Sequence, residues 1–285
     1  MGRLRGFFRL IRPLNGLMMG FAVIVGASLF IVELPSYGKV LKLLLGYITA
    51  FSLTGASMAI NDYYDREIDR VNEPSRPIPS GLIKPRESLF FAAFLTAAGL
   101  IAAAFTSLPC LIIATTSWLV SATYATRGKR TGLPGNFLVS ACVAIPFIYG
   151  GFLAGQGLNP KILLFSALAF LSNTGREVIK GIADVEGDKA KGIRTIAVSH
   201  GRTAAAYAGS SFYLSAVLLS ILPMLFSPPL VSAWFIPPVA LADAGFILSS
   251  AKILRDPSKE NARKVKNMSL LWMALGLIAF FAGNL

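Results

Sequence analysis

Long apolar runs separated by short polar segments dominate the chain. Nine runs have the length of a membrane-spanning helix, which needs about 20 mainly apolar residues. We place these spans at residues 14–32, 42–60, 89–106, 109–125, 137–154, 162–179, 204–226, 230–251 and 268–283. The pattern predicts an all-α, polytopic membrane protein, with residues 1–285 forming a single transmembrane domain.

The first apolar run follows four arginines, an arrangement that secretory signal peptides share. Residues 14–32 are, however, longer than the apolar part of a typical signal peptide, and no clear cleavage site with small residues follows them. We therefore interpret this run as the first retained span.

Composition supports a membrane protein. Hydrophobic residues make up 54% of the chain and charged residues 14%, with a mean hydropathy of +0.64. These values exclude a disordered chain and argue strongly against a soluble globule. The net charge of +13 would suggest nucleic acid in a soluble protein. Here the charges lie between apolar runs, so we expect contact with the lipid bilayer and no nucleic-acid partner.

The basic residues are distributed unevenly between the two ends of the spans. If the N-terminus is cytoplasmic, 23 of the 27 Lys and Arg residues fall in cytoplasmic segments and three on the opposite side. Cytoplasmic loops are enriched in such residues. The distribution supports nine spans and predicts a cell-membrane protein with a cytoplasmic N-terminus and an outside C-terminus.

Acidic residues cluster after the second span. Asp62, Asp65 and Asp69 are spaced i, i+3 and i+7, so they share one face if the helix continues beyond the apolar run. Asn61 adds an amide oxygen one turn before Asp65. Carboxylates this close repel one another near a low-dielectric bilayer, so a bound cation is expected. Mg²⁺ commonly binds through a few carboxylates and substrate phosphates.

A second acidic segment follows the sixth span. Asp184 and Asp188 are spaced i and i+4, and Lys180 precedes Asp184 by one turn, so a continuous helix would place all three on one face. Carboxylates beside a lysine suit a magnesium diphosphate, because the acids bind the metal and the base binds phosphate oxygens. One such segment alone is more often a solvated face, but two at matching positions favour a site.

Basic and aromatic residues near these segments are candidates for binding phosphate. Arg76 lies in a loop that two prolines and a glycine stiffen. Lys129 and Arg130 follow Tyr124 after the fourth span. The substrate-binding candidates are Arg66, Arg76, Tyr124, Lys129, Arg130 and Lys180.

Charged residues inside spans leave open questions. Arg176 and Glu177 lie late in the sixth span, where they are either functional or a structural pair. Asp243 lies in the middle of the eighth span, and nothing around it indicates more than a polar contact. A transporter would carry its acids at mid-span depth, whereas ten of the 14 acids here follow two even-numbered spans. The distribution favours an enzyme over an ion-coupled transporter.

The motifs together resemble the UbiA-like superfamily of intramembrane prenyltransferases over essentially the whole chain. They are Asn61-Asp62-x-x-Asp65-x-x-x-Asp69, the Arg76-Pro-x-Pro-Ser-Gly81 stretch, the Tyr124 and Lys129 loop, and Asp184-x-x-Gly187-Asp188. The resemblance implies nine helices around a central cavity with cytoplasmic cap loops. It also implies Mg²⁺-dependent transfer of a polyprenyl group from its diphosphate to an acceptor.

On this resemblance, the aspartates carry the catalysis by binding metal. Asp62, Asp65 and Asp69, assisted by Asn61, would bind one ion, and Asp184 and Asp188 the other. An acceptor hydroxyl would attack C1 of the prenyl chain, and an aspartate or the released diphosphate would take its proton.

Two branches of the superfamily are most similar to the acidic segments: the digeranylgeranylglyceryl phosphate synthases of ether-lipid synthesis and the chlorophyll synthases. The chain has the compact length of the first branch. We therefore expect geranylgeranyl diphosphate as donor and the free hydroxyl of geranylgeranylglyceryl phosphate as acceptor. A tetrapyrrole or an aromatic quinone precursor remains the alternative acceptor.

Overall fold

The computed structural model describes residues 2–29, 36–190, 192–226 and 230–284, and these residues contain helices and no strands. The prediction of an all-α fold is confirmed. The helices are α1 (Gly2–Leu10), α2 (Pro13–Ser28), α3 (Tyr37–Asn72), α4 (Pro85–Ala104), α5 (Leu108–Thr126), α6 (Leu133–Leu153), α7 (Pro160–Ala183), α8 (Val185–Ala190), α9 (Ile196–Ser220), α10 (Leu222–Leu225), α11 (Ile236–Arg255) and α12 (Lys259–Ala282). Short 3₁₀ turns cover Gly128–Thr131 and Ala233–Phe235.

Eight helices among the described residues are long and apolar enough to cross a membrane. The pair α1 and α2, which meet at a bend of 44°, makes a ninth span if it is counted as one. The structure is therefore that of a multi-pass membrane protein. The end of the predicted first span, at residues 30–32, lies outside the described residues.

Helix α3 is much longer than the predicted second span. The apolar run covers residues 42–60, but the helix runs from Tyr37 to Asn72. Its length of about 54 Å exceeds the roughly 30 Å of a bilayer core. Charged residues end an apolar run without ending a helix, and Arg66, Glu67 and Arg70 in this segment are good helix formers. The continuation confirms that Asp62, Asp65 and Asp69 lie on one helix.

The chain divides into two compact units. Unit 1 comprises Met1–Gly128 and Ile145–Gly157, and unit 2 comprises Lys129–Ala144 and Leu158–Leu285, so α6 contributes to both. The prediction of a single domain stays a prediction.

Within unit 1, α3 packs against α1, α2, α4 and α5. Glycines allow close approach where α2 meets the second half of α6. A Cβ atom on Gly26 would lie 2.3 Å from the carbonyl oxygen of Phe147, and one on Gly150 would lie 2.3 Å from that of Val23. Small residues at such contacts are typical of membrane helices, because they let two backbones pack closely.

Within unit 2, α7 packs against α9 and α12, and α9 and α12 both pack against α11. The aromatic ring of Tyr213 on α9 lies directly over Gly175 on α7, where an added Cβ would come within 2.6 Å of the ring. Tyr213 is fully buried, and its ring centroid lies 4.8 Å from that of Phe246. This packing fixes the C-terminal part of α7, which carries the residues that precede the second acidic motif.

Candidate functional site

The carboxylates of the first acidic motif lie at the C-terminal end of α3 and are buried. Asp62, Asp65 and Asp69 are 1%, 4% and 4% exposed. Burying ionised carboxylates is costly unless cations or donors compensate them. Their environment must therefore supply positive charge.

Two arginines supply charge to Asp62 and Asp69. Nη1 of Arg76 donates to Oδ2 of Asp69 at 2.6 Å and to Oδ1 of Asp62 at 3.2 Å. Nη2 of Arg12 donates to the same Asp62 oxygen at 2.7 Å. Asp65 accepts a hydrogen bond of 2.8 Å from the amide nitrogen of Asn61. Both arginines belong to unit 1, so these ion pairs of Asp62 and Asp69 lie within one unit.

Arg76 is held by an ordered loop. Its backbone N–H bonds to Glu73, and Ile83 N–H bonds to the carbonyl of Pro77 at 3.0 Å. The side chains of Ile78 and Ile83 are buried, which anchors the loop on the helices. Burial opposes the charge on Arg76, but the Coulomb attraction of Asp62 and Asp69 outweighs it, so the pKa of Arg76 is raised. The guanidinium therefore stays charged beside the aspartates.

Arg12 is a functional candidate that sequence reasoning missed. It lies between α1 and α2 in the left-handed conformation, with φ 47° and ψ 70°, and it is the one non-glycine residue with positive φ in the described part of the chain. This conformation is uncommon for arginine and is a sign of local strain. The sequence offers a weak signal, since Arg12 precedes a proline, which restricts its backbone.

The second acidic motif lies where two helices meet in unit 2. α7 ends at Ala183, Asp184 has φ −102° and ψ 6°, and α8 begins at Val185. The α-helix is interrupted at Asp184 alone, and the predicted one-turn spacing persists through it, because the N–H of Asp184 bonds to the carbonyl of Lys180 at 3.1 Å. The N–H of Asp188 still bonds to the carbonyl of Asp184 at 2.9 Å, which keeps the two residues one turn apart.

Other groups orient this second segment. Asp188 is buried at 4% exposure, whereas Asp184 is partly exposed. Glu186 accepts bonds from Lys259 at 2.8 Å and Arg202 at 2.7 Å, which tie α8 to α12 and α9. The hydrogen bond from Lys259 is the main reason that the pKa of Glu186 is lowered.

The remaining predicted substrate-binding residues differ in burial and in the partners that they contact. Tyr124 is buried at the end of α5. Arg66 lies over the ring of Tyr63, 4.7 Å from its centroid, and pairs with Glu67. Lys180 donates to Glu177 at 2.9 Å. The side chains of Lys129 and Arg130 lie outside the described residues.

The donor set of the first motif fits a hard divalent cation. Carboxylate and amide oxygens are the ligands that Mg²⁺ prefers, and the arginines show that these buried carboxylates accept positive charge. Among the described residues, no group of three or more Asp, Glu, His or Cys side chains is close enough to hold a metal ion. The arrangement thus suits the mode in which one or two carboxylates and substrate phosphates share the ion.

The sequence profile of the UbiA prenyltransferase family matches residues 19–276. The chain belongs to this family. Its UbiA relatives include the digeranylgeranylglyceryl phosphate synthase of Archaeoglobus fulgidus, which is 36% identical over 98% of this chain and 95% of that protein. The resemblance seen in the acidic motifs is thereby confirmed, and the chain is a prenyltransferase by family.

Solved UbiA structures share the fold. One, described as giving structural and mechanistic insights into digeranylgeranylglyceryl phosphate synthase in membranes, has a TM-score of 0.73 at 33% identity and covers 100% of this chain and 99% of its own. A UbiA homolog from Archaeoglobus fulgidus bound to DMAPP and Mg²⁺ has a TM-score of 0.67 at 20% identity, covering 96% and 99% of the two chains. The second likeness bears on the fold alone.

Proposed function

We propose that this protein transfers a geranylgeranyl group from geranylgeranyl diphosphate to the free hydroxyl of geranylgeranylglyceryl phosphate. The observation that carries the proposal is the full-length similarity to enzymes with that activity in their name. The product would be digeranylgeranylglyceryl phosphate, a precursor of ether membrane lipids, and the second product would be diphosphate.

The reaction exchanges one C–O bond for another. The bond between C1 of the prenyl chain and the diphosphate oxygen breaks, and the pair of electrons leaves with the diphosphate. The acceptor oxygen then bonds to C1, and its proton passes to an aspartate or to the released diphosphate. Charge therefore develops on the leaving group, and catalysis depends on groups placed to stabilise it.

We assign the aspartates to Mg²⁺ binding, with Asp62, Asp65 and Asp69 for one ion and Asp184 and Asp188 for the other. Bound Mg²⁺ would neutralise the leaving diphosphate. Support comes from the oxygen chemistry of these groups, from the burial of all of them except Asp184, and from the UbiA homolog bound to DMAPP and Mg²⁺. Asn61 assists by orienting Asp65 through its amide hydrogen bond.

The basic residues are assigned to phosphate oxygens. Arg76 binds Asp62 and Asp69 through a single nitrogen, Nη1, so the other N–H donors of its guanidinium can bind a phosphate. Lys180 can donate to phosphate beside Glu177, because an ammonium group carries three hydrogens. Arg66, Tyr124, Lys129 and Arg130 complete the proposed substrate contacts.

The substrates enter from the bilayer and the cytoplasm. We propose that residues 1–285 act as one transmembrane domain, with the N-terminus cytoplasmic and the C-terminus outside, because 23 of 27 basic residues then lie on the cytoplasmic side. The diphosphate and the glyceryl phosphate would both be bound at that side, while their chains extend into the bilayer.

The test is product formation by purified protein. Geranylgeranyl diphosphate and geranylgeranylglyceryl phosphate are incubated with the protein in detergent, and products are measured by mass spectrometry. We expect ether product and diphosphate in equal amounts, loss of both after chelation, and recovery when Mg²⁺ is restored. If an active preparation makes no ether product from this pair, the proposed substrates are wrong. If chelation does not affect turnover, the proposed role of Mg²⁺ is wrong.

A further inference from the structure

A buried charged cluster lies in unit 2, in the last turns of α7. Oε1 of Glu177 accepts from Nη1 of Arg176 at 2.9 Å, and Oε2 accepts from Nζ of Lys180 at 2.9 Å. The side chains of Arg176, Glu177 and Lys180 are 16%, 8% and 25% exposed. Each oxygen of Glu177 thus binds one cation, and Asp184, one turn beyond Lys180, adds a second carboxylate whose charge attracts Lys180.

The cluster has more donors than acceptors. Arg176 and Lys180 together offer eight N–H groups by their chemistry, whereas both oxygens of Glu177 are already engaged. Within the described part of the chain, Nε of Arg176 is buried and has no hydrogen-bond partner. A buried donor without an acceptor is rare and needs an explanation, because it has lost its bond to water without gaining another.

A second buried donor lies in the same neighbourhood. The Tyr213 hydroxyl is also buried and makes no hydrogen bond to the residues that the structure describes. Its ring rests on Gly175, the residue before Arg176, and the hydroxyl lies near the Ser269 hydroxyl and within electrostatic range of Arg176 and Glu177. Packing on Gly175 and Phe246 holds this group in place.

The missing partner must bring several acceptor oxygens and negative charge. A phosphate group does both, and a guanidinium with a neighbouring ammonium is a common way to bind it. A water molecule would satisfy a single donor, whereas a phosphate group offers several acceptor oxygens together with the charge that a guanidinium binds most strongly. The chemistry of the cluster therefore selects an oxyanion, and phosphate is the oxyanion that both substrates carry.

The position of the cluster distinguishes the two phosphate sources. Arg176 and Lys180 precede Asp184 by eight and four residues, so the cluster lies about 6–12 Å farther along α7 from the acidic motif. The aspartates are assigned to the diphosphate and its metals. A second phosphate group, set deeper than the diphosphate, corresponds to the monophosphate of the acceptor.

We propose that Arg176, Lys180 and Tyr213 form the binding site for the phosphate monoester of the acceptor lipid. The inference rests on the proposed function and adds to it the residues that recognise the acceptor. Glu177 positions Arg176 and Lys180. The phosphate oxygens then accept hydrogen bonds from the N–H groups that do not bind Glu177 and from the Tyr213 hydroxyl. The phosphate then fixes the glyceryl unit, so that its free hydroxyl can be oriented towards C1 of the donor.

The test measures the KM of each substrate separately in Arg176→Gln and Tyr213→Phe. Loss of a charge-assisted contact should raise the acceptor KM about tenfold or more in Arg176→Gln, and less in Tyr213→Phe, while the donor KM changes less than twofold. The matched control is Arg255→Gln, because Arg255 is an exposed cation of the same unit, in the last turn of α11.

A dephosphorylated acceptor, geranylgeranylglycerol, provides the second arm. Wild-type protein should prefer the phosphorylated acceptor strongly, and Arg176→Gln should lose most of that preference. If Arg176→Gln keeps the preference, the inference is overturned and the cluster has a structural role. If the donor KM rises instead, the inference is overturned and the cluster binds the diphosphate. If Arg176→Gln does not fold, Tyr213→Phe provides the test. This variant should fold, because it removes one oxygen and leaves the packed ring in place.

Failure of the proposed function gives a different result. In that case the wild-type protein does not prenylate the glyceryl phosphate at all, and no acceptor KM can be measured for it. If the wild type turns over and only the phosphate preference fails to depend on Arg176, the function stands and this site does not.

Discussion

Asp62 accepts hydrogen bonds from two arginines that lie far apart in the sequence, Arg12 and Arg76. The second was predictable, because a loop stiffened by prolines leads to it directly from the acidic face. The first was not, because it depends on the left-handed backbone of Arg12 at the bend between α1 and α2. Side-chain spacing along one helix is visible in a sequence, whereas a contact across 50 residues is not.

The aspartates provide the first prediction at this scale. Asp65→Asn and Asp184→Asn remove one charge each with little change in shape, and each should lower kcat by about 100-fold or more, as expected for lost electrostatic stabilisation. Glu67→Gln is the control, because Glu67 is an exposed acid on the same helix that pairs with Arg70. Prenyl transfer by purified, folded variants is the measurement. Near-normal turnover in both aspartate variants would refute the metal assignment.

The pair of Arg12 and Asp62 provides the second prediction. Their hydrogen bond is charge-assisted and its acceptor is buried, so a double-mutant cycle of Arg12→Gln and Asp62→Asn should show a coupling of about 1 kcal/mol or more in the free energy of unfolding. Thermal unfolding in detergent gives the four values. Arg5→Gln, an exposed change on α1, should instead be additive with Asp62→Asn. Additive effects for Arg12 itself would mean that the bond contributes nothing to stability.

Among the elements, α3 and α7 show what hydropathy can and cannot predict. The helical spacing of the first motif was informative because α3 continues without a break to Asn72. In the second motif α7 ends at Ala183, which the pattern did not predict, but hydrogen bonds from Asp184 to Lys180 and from Asp188 to Asp184 keep the predicted one-turn spacing. An apolar pattern predicts the membrane-embedded part of a helix. The residue at which the helix ends depends on local backbone geometry, which the positions of charged residues do not predict.

Close helix packing in unit 1 yields the third prediction. Gly26→Ala places a methyl group against the backbone of Phe147, which cannot rotate away, so we expect a loss of about 1–3 kcal/mol in stability. Gly38→Ala is the matched control, since nothing lies within 4 Å of the added atom. The melting temperature of the purified variants is compared. Equal melting temperatures would show that α2 and α6 tolerate a wider separation.

At the scale of the whole molecule, sequence and structure agree on membrane architecture. The nine apolar runs correspond to eight spans and one bent helix pair, because long apolar helices satisfy their own backbone groups in lipid. Orientation follows from charge and stays a prediction. The choice of acceptor could be predicted only by resemblance, since no single motif determines it. The cluster around Arg176 could not be predicted, because it depends on the packing of α9 on α7.

Topology is the fourth prediction. A reporter inserted in the loop between α11 and α12, at residues 256–258, should be cytoplasmic, and one fused after Leu285 should lie outside, because α12 crosses the bilayer between them. Accessibility to a membrane-impermeant label measures both. An N-terminal reporter serves as the internal control and should be cytoplasmic. If the reporter at residues 256–258 and the reporter after Leu285 lie on the same side, α12 does not cross the membrane.

A competition between acceptors tests the central claim most directly. Purified protein receives labelled geranylgeranyl diphosphate, Mg²⁺ and equal concentrations of geranylgeranylglyceryl phosphate, a hydroxybenzoate and a chlorophyllide, and the labelled products are identified by mass. We predict that the label appears in digeranylgeranylglyceryl phosphate. Label found in either ring compound, with none in the glyceryl phosphate, would contradict the account and make the alternative acceptor the substrate.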